Sequence, residues 1–338
     1  MGHPVNLKLV RQRAAEVRES ITVETLLAQA TDRLRRAGSD APRLEAELLL
    51  AHLLDRSRAW LLAHPEARLS PAQQVRYEEM VARRAAGEPL PYITGHAPFY
   101  GLDFLVSPAV LIPRPETERL VDLALDLTRS LCEANSPPSL TVADVGTGSG
   151  CLAVVLARRL PQTRLYALDL SPEALALARR NALRHGVADR IRFLTSDLLQ
   201  ALPEPVDLIV ANPPYVAEDE WDRLPRSVRE HEPRLALAGG PDGLAVIRRL
   251  LAQAPAHLRP GGWLLMEMGA GQGEAVLTLA QAAFPTAQIA LHPDLAGHQR
   301  ILAVHRASHA PQHASRSTQE LSTLPQVRRV SDAKPCFK

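Results

Sequence analysis

Between Leu140 and Phe284 short apolar runs alternate with amphipathic stretches, and this alternation restricts the fold more than any other feature. Leu140–Val145, Arg164–Leu168, Ile191–Leu194, Val206–Ala211 and Trp263–Met268 read as buried strands. Between and after them come segments of helical period: Cys151–Leu160, a stretch capped by Ser171 with Pro172 in its first turn and Gly186 as its stop, Gly243–Leu258, and Glu274–Phe284. Arg259–Gly262 reads as a turn. Such alternation builds a parallel sheet with helices on both faces, because each crossover must pass over one face. Gln288–Leu291 and Ile301–Val304 can then pair antiparallel. The fold class expected is α/β, with a Rossmann-like domain over residues 113–307.

Ahead of it the texture is helical. Val23–Arg36 is amphipathic and stops at Gly38, and Asp40 is placed to cap the next helix, on which Leu44, Leu48, Leu49 and His52 fall on neighbouring turns. Ser70-Pro71-Ala72-Gln73 has the form of a capping box, opening a helix that runs to Gly87. Four helices with short loops predict a smaller N-terminal helical bundle over 21–90. Tyr92–Thr94 and Phe99–Val106, rich in aromatic and β-branched residues, predict a hairpin linker over 91–112. A loop stiffened by Pro113 and Pro115 precedes the helix Glu116–Leu131, which Ser136-Pro137-Pro138 closes. Residues 1–20 read as a loose extension and 308–338 as a disordered tail.

Composition excludes several classes. An apolar fraction of 46% allows a sizeable core, and a net charge of +2 does not suit a protein that grips nucleic acid by wholesale phosphate neutralisation. Cys132, Cys151 and Cys336 are scattered, which fits neither a disulfide scaffold nor a zinc site. No apolar run approaches the roughly 18 residues that span a bilayer. A cytoplasmic monomer with no metal and no membrane or direct nucleic-acid partner is expected.

Two motifs carry chemistry. Asp144-Val145-Gly146-Thr147-Gly148-Ser149-Gly150 ends the first strand and opens a helix, so glycine backbone can approach a ligand closely beside free helix N–H groups. Asp169, at the end of the next strand, suits ribose hydroxyls. The third glycine falls one place early for a dinucleotide site, and Asp144 would repel a pyrophosphate but attract a cation. S-adenosylmethionine, which bears a sulfonium and an ammonium, fits better. Asp197 is placed for the adenine amino group and Leu198 for its ring. The second motif, Asn212-Pro213-Pro214-Tyr215, follows the strand Val206–Ala211 at the carboxyl edge where α/β sheets bind ligands. The prolines stiffen the loop, Asn212 and the Pro213 carbonyl can accept from a planar NH2, and Tyr215 supplies a flat face. Acceptors aimed at N–H bonds favour the positive charge that grows as a delocalised nitrogen attacks a methyl group. Methylation of an amide or an exocyclic base nitrogen is expected. Arg114 and Glu116 read as a charged pair at the entrance or at the helix start, and Glu267 as a structural acid.

From Thr22 to Ala307 the chain resembles the release factor glutamine methyltransferase (HemK-like) family. The resemblance rests on Gly87–Ile93, Phe99–Phe104, Leu111–Glu118 and Glu232–Leu244 together with the two motifs above. It implies an N-terminal substrate-recognition domain, a hairpin linker and an S-adenosylmethionine-dependent methyltransferase domain. It also implies the substrate: the glutamine of the Gly-Gly-Gln motif in class I peptide-chain release factors. By that likeness Gly146, Thr147, Gly148, Ser149, Gly150, Asp169, Leu198 and Asn212 contact the donor, and Asn212, Pro213, Pro214 and Tyr215 hold the glutamine; Asp197 joins the donor set by its position alone. A sibling acting on a ribosomal-protein glutamine and an adenine amino methyltransferase, which would flip its base, are the alternatives.

Overall fold

Hydroxyls cap three of the N-terminal helices, Ser70 as the sequence suggests. The computed structural model describes residues 21–134, 140–294 and 297–308, without the side chains of 129–134. The expected extension, the tail beyond Ser308 and the Ser136-Pro137-Pro138 closure lie outside the described residues. Thr22 Oγ1 accepts from Thr25 N at the start of α1 (Val23–Arg36), and Gly38 beyond its end has φ +83°. Ser70 and Gln73 form the reciprocal capping box of α4 (Pro71–Ala85). Between them lie α2 (Pro42–Leu54) and the short α3 (Arg58–Ala63).

Two expectations about α2 fail. Its N-cap residue is Ala41, because the Ser39 hydroxyl accepts from Ala41 N and donates to Glu45, leaving Asp40 without a capping role. Its buried face is Ala46, Leu49 and Leu50, whereas Leu44 is 40% exposed. Glu47 is buried on the same helix because Arg43 and Arg58 both donate to it, and together they hold its carboxyl below its ordinary range despite burial. Val23, Leu34, Leu50, Leu61 and Tyr77 close a helical core, with the Tyr77 hydroxyl donating to the Ala46 carbonyl.

Tyr92–Thr94, expected to be extended, lies in the helix α5 (Leu90–Thr94). Pro91 sits in its first turn, Gly95 (φ +76°) ends it, and the Tyr92 hydroxyl is fixed on the Val110 carbonyl at 2.6 Å. A tertiary bond overrides local propensity here. The hairpin follows as β1 (His96–Phe99) antiparallel to β2 (Leu102–Leu105). A 3-10 turn, Pro115–Thr117, then leads into α6 (Glu118–Ala134).

The main sheet has seven strands in the order β5-β4-β3-β6-β7-β9-β8. They are β3 (Thr141–Val145), β4 (Arg164–Asp169), β5 (Ile191–Thr195), β6 (Val206–Ala211), β7 (Leu258–Glu267), β8 (Gln288–Pro293) and β9 (Gln299–His305). The first five in that order run parallel, while β9 pairs antiparallel with both β7 and β8. The expected turn Arg259–Gly262 falls within β7 as a bulge: pairing with β6 jumps from Leu258 to Trp263, Gly261 takes φ +80°, and the Arg259 guanidinium reaches Asp207 at 2.8 Å. Helices α6, α7 (Cys151–Arg159) and α8 (Pro172–Arg184) cover one face, and α10 (Ala245–His257) and α11 (Gly273–Ala283) the other. A short α9 (Arg226–His231) lies in the segment between β6 and α10. No helix among the described residues is long and apolar enough to cross a membrane.

Asn181 on α8 ties three parts together. Fully buried, it accepts from Leu105 N at 2.8 Å and donates to the carbonyls of Leu105 (2.9 Å) and Ser149 (2.8 Å). Hairpin, helix and glycine turn thus meet on one side chain. Asn181→Ala would strip these partners from buried backbone groups and should lower stability by about 2–4 kcal/mol. Chemical denaturation measures it, and an unchanged midpoint with an unchanged slope would contradict it.

Candidate active site

The strands β3 and β4 end level, with Val145 opposite Leu168, and the glycine turn is built on that register. Gly146 N and Thr147 N both donate to the Leu168 carbonyl, at 2.8 and 2.9 Å. Gly150 has φ +79°, and a Cβ there would stand 2.9 Å from the Ala178 Cβ, so only glycine lets α7 start against α8. Asp169 lies beside the turn: one carboxylate oxygen accepts from Gly148 N at 2.8 Å and the other from Ser171 N at 2.9 Å. Burial pushes its carboxyl above the ordinary range, and these two amides work against that.

Asp144 is fully buried. Its Oδ2 accepts from the Thr147 hydroxyl at 2.6 Å and from Ala153 N at 3.1 Å. Its Oδ1 is a buried acceptor with no partner among the described residues. Burial pushes the carboxyl up to about 7, against the Thr147 and Ala153 bonds and with a further push from Asp169. An acceptor left open at the foot of a glycine turn fits a ligand that brings an ammonium group.

Asp197 and Leu198 follow β5. The Asp197 carboxylate is paired with Arg249 of α10, so its charge has a partner already. Leu198 takes φ +56°, with its carbonyl held by the Ser196 hydroxyl at 2.7 Å and its side chain against the core beside α10. Leu170, which the sequence reading passed over, stands 52% exposed directly after Asp169.

The second motif begins where β6 ends, with Ala211 opposite Val145, and a Cβ on Gly146 would come 3.9 Å from the Asn212 carbonyl oxygen. The two motifs are therefore neighbours. Pro213 is buried. Asn212 Nδ2 donates to the Thr117 hydroxyl at 3.1 Å, Thr117 donates to Glu267 at 2.7 Å, and the Tyr215 hydroxyl donates to the other Glu267 oxygen at 3.3 Å. Burial raises the Glu267 carboxyl above its ordinary range, while Thr117, Tyr215 and Arg300 pull it back. Gln272 Nε2 holds the Tyr215 carbonyl at 2.9 Å, and a Cβ on Gly243 would collide with that carbonyl at 2.4 Å.

The expected pairing of Arg114 with Glu116 does not form. Arg114 reaches Glu232, whose buried carboxylate also accepts from Ile112 N at 3.2 Å. A buried acid attracts the available cation more strongly than an exposed one does. Thr117, Glu232 and Gln272 were missed because their partners are remote in sequence. Glu267 carried the one available signal, an acid in the apolar run Trp263–Met268.

Asp144 yields a prediction for the free protein. Its folded carboxyl titrates near pH 7, against about 4 in an unfolded chain. A raised carboxyl contributes stability that is full below the ordinary range and lost as pH rises through about 7. Asp144→Asn escapes that loss. Its thermal midpoint should exceed the parent's above pH 7, with the gap narrowing toward about pH 4; a gap that ignores pH would refute the account.

Comparison with known proteins agrees with this arrangement. The PrmC N-terminal domain family matches residues 25–95, and the methyltransferase small domain family matches residues 121–229. A protein named release factor glutamine methyltransferase from Koribacter versatilis (strain Ellin345) is 48% identical over 252 residues, 74% of this chain and 87% of its own length. One of the same name from Moorella thermoacetica is 46% identical over 287 residues, 85% of this chain and 99% of its own length. A third, from Rhodopirellula baltica, is 41% identical over 288 residues, 85% of this chain and 97% of its own. With its glycine turn and Asn-Pro-Pro-Tyr loop side by side on one sheet edge, the chain belongs to the release factor glutamine methyltransferase family.

Proposed function

We propose that the chain methylates the side-chain amide nitrogen of the glutamine in the Gly-Gly-Gln motif of class I peptide-chain release factors, with S-adenosyl-L-methionine as donor. The observation that carries this reading is the adjacency of Asn212 to Gly146 across the paired strands β3 and β6. The donor supplies an electrophilic methyl group on a sulfonium. Gly146, Thr147, Gly148, Ser149 and Gly150 offer the close backbone for it, Asp144 Oδ1 an acceptor for its ammonium, and Asp169 acceptors for its ribose. Asp197, steadied by Arg249, takes the adenine amino group, and Leu198 and the exposed Leu170 offer apolar surface to the ring.

Asn212 Oδ1 and the Pro213 carbonyl accept the two N–H bonds of the glutamine amide, Pro214 stiffens the loop, and the Tyr215 ring gives the planar group a face. An amide nitrogen is a weak nucleophile because its lone pair is delocalised. Acceptors on its N–H bonds favour the charge that grows during attack, and holding nitrogen in line with the methyl group supplies the rest. The alkylated nitrogen then sheds an acidic proton, so no strong base is required. Residues 21–90 recognise the protein substrate, 91–112 link, and 113–307 transfer. The chain works as a monomer in the cytoplasm, where release factors act.

Purified protein given labelled donor should label a release factor, and neither a ribosomal protein nor DNA. Label in DNA or ribosomal protein alone would overturn the substrate assignment. Asn212→Ala should lower transfer by about 10²–10³-fold while donor binding stays measurable by calorimetry. Near-normal turnover in that variant would remove Asn212 from the mechanism.

A further inference from the structure

We infer that Thr117 is a positioning residue whose hydroxyl, committed to the buried carboxylate of Glu267, fixes which end of the Asn212 amide faces the methyl acceptor. The inference rests on the reading of Asn212 as the group that holds the acceptor amide. An asparagine side chain ends in an oxygen and an NH2 of nearly equal size, and half a turn about its last torsion exchanges them. With oxygen toward the acceptor, Asn212 receives an N–H bond. With nitrogen there, a donor faces a donor. The prolines of the loop stiffen its backbone but leave this torsion free.

The choice is made by a segment about a hundred residues earlier in the chain. Thr117 is 3% exposed, and its Oγ1 lies 3.1 Å from Asn212 Nδ2 and 2.7 Å from Glu267 Oε2. A hydroxyl has a single proton, and the Thr117 hydroxyl donates it to Glu267 Oε2. The Thr117 lone pairs therefore remain for Asn212. Only the NH2 end of the amide can meet them, so Oδ1 turns the other way. Glu267, itself 3% exposed, also takes the Tyr215 hydroxyl at 3.3 Å. Both polar side chains of the acceptor loop are thus referred to one buried charge. Burial raises that carboxyl above its ordinary range and Glu116, beside Thr117, adds to this, while the Thr117 and Tyr215 hydroxyls and Arg300 on β9 pull it back.

The consequence is discrimination between amide and acid. A fixed acceptor at Asn212 welcomes the NH2 of glutamine and repels the carboxylate of glutamate, whose oxygens offer no proton. Freed to flip, the same asparagine could donate to a carboxylate instead.

The test uses the full chain as wild type, Thr117→Val and Thr117→Ser, with a release factor as substrate and its Gly-Gly-Gln glutamine-to-glutamate form as inhibitor. Thr117→Val should lower kcat by about tenfold or more at unchanged donor affinity, and glutamate-form inhibition should strengthen. Thr117→Ser, which keeps the hydroxyl, should recover most of both properties. A Thr117→Val enzyme within twofold of wild type, or a Thr117→Ser enzyme as impaired as Thr117→Val, overturns the assignment. A second measurement needs no substrate: side-chain amide NMR of the wild type should show cross-relaxation from the Asn212 NH2 protons to the Thr117 methyl group. Its absence overturns the inference. Its presence in an enzyme that labels no release factor supports the fixed amide and sinks the proposed function instead.

Discussion

Three parallel strands end level, and the site depends on that register. Val145 stands opposite both Leu168 and Ala211, so β3, β4 and β6 deliver the glycine turn, Asp169 and Asn212 to one sheet edge. Parallel pairing is possible only through crossovers, and the helices that make them also bury both faces. A one-residue slip of β6 against β3 would turn every β6 side chain to the opposite face and carry Asn212 away from Gly146. The packed core on each side of the sheet makes such a slip expensive, which is how an apolar interior holds a polar site in place.

Buried acids supply the second level of order. Glu232 draws Ile112 and Arg114 together, and Glu267 draws in Thr117 and Tyr215. Each joins a segment ahead of α6 to one from the far half of the chain. A buried carboxylate contributes little net stability, yet breaking its partners leaves an uncompensated charge. Such groups specify which segments meet. Asp144 differs, since one of its buried oxygens has no partner among the described residues.

Much of this was legible beforehand for a physical reason: local chemistry acts locally. The Ser70 capping box, the Ser171 cap, the glycine turn and the strand alternation each involve residues within a few positions of one another. The misreadings share the opposite cause. Tyr92–Thr94 looks extended by composition but is wound into a helix by Pro91, Gly95 and a hydroxyl bond to Val110. Arg114 was matched to its neighbour Glu116, whereas burial made Glu232 the stronger attractor. The Thr117–Glu267 contact left no local trace at Thr117, because a threonine in a loop looks the same whatever distant acid it meets.

Asn181 and Ala178 sit one turn apart on one face of α8, and both meet the glycine turn. Asn181 grips β2 and the Ser149 carbonyl, while Ala178 fills the space beside Gly150. Helix α8 therefore carries the linker hairpin and the glycine turn on one face. Hairpin and turn are spliced at one side chain, and neither can shift without straining the bonds that seat the other.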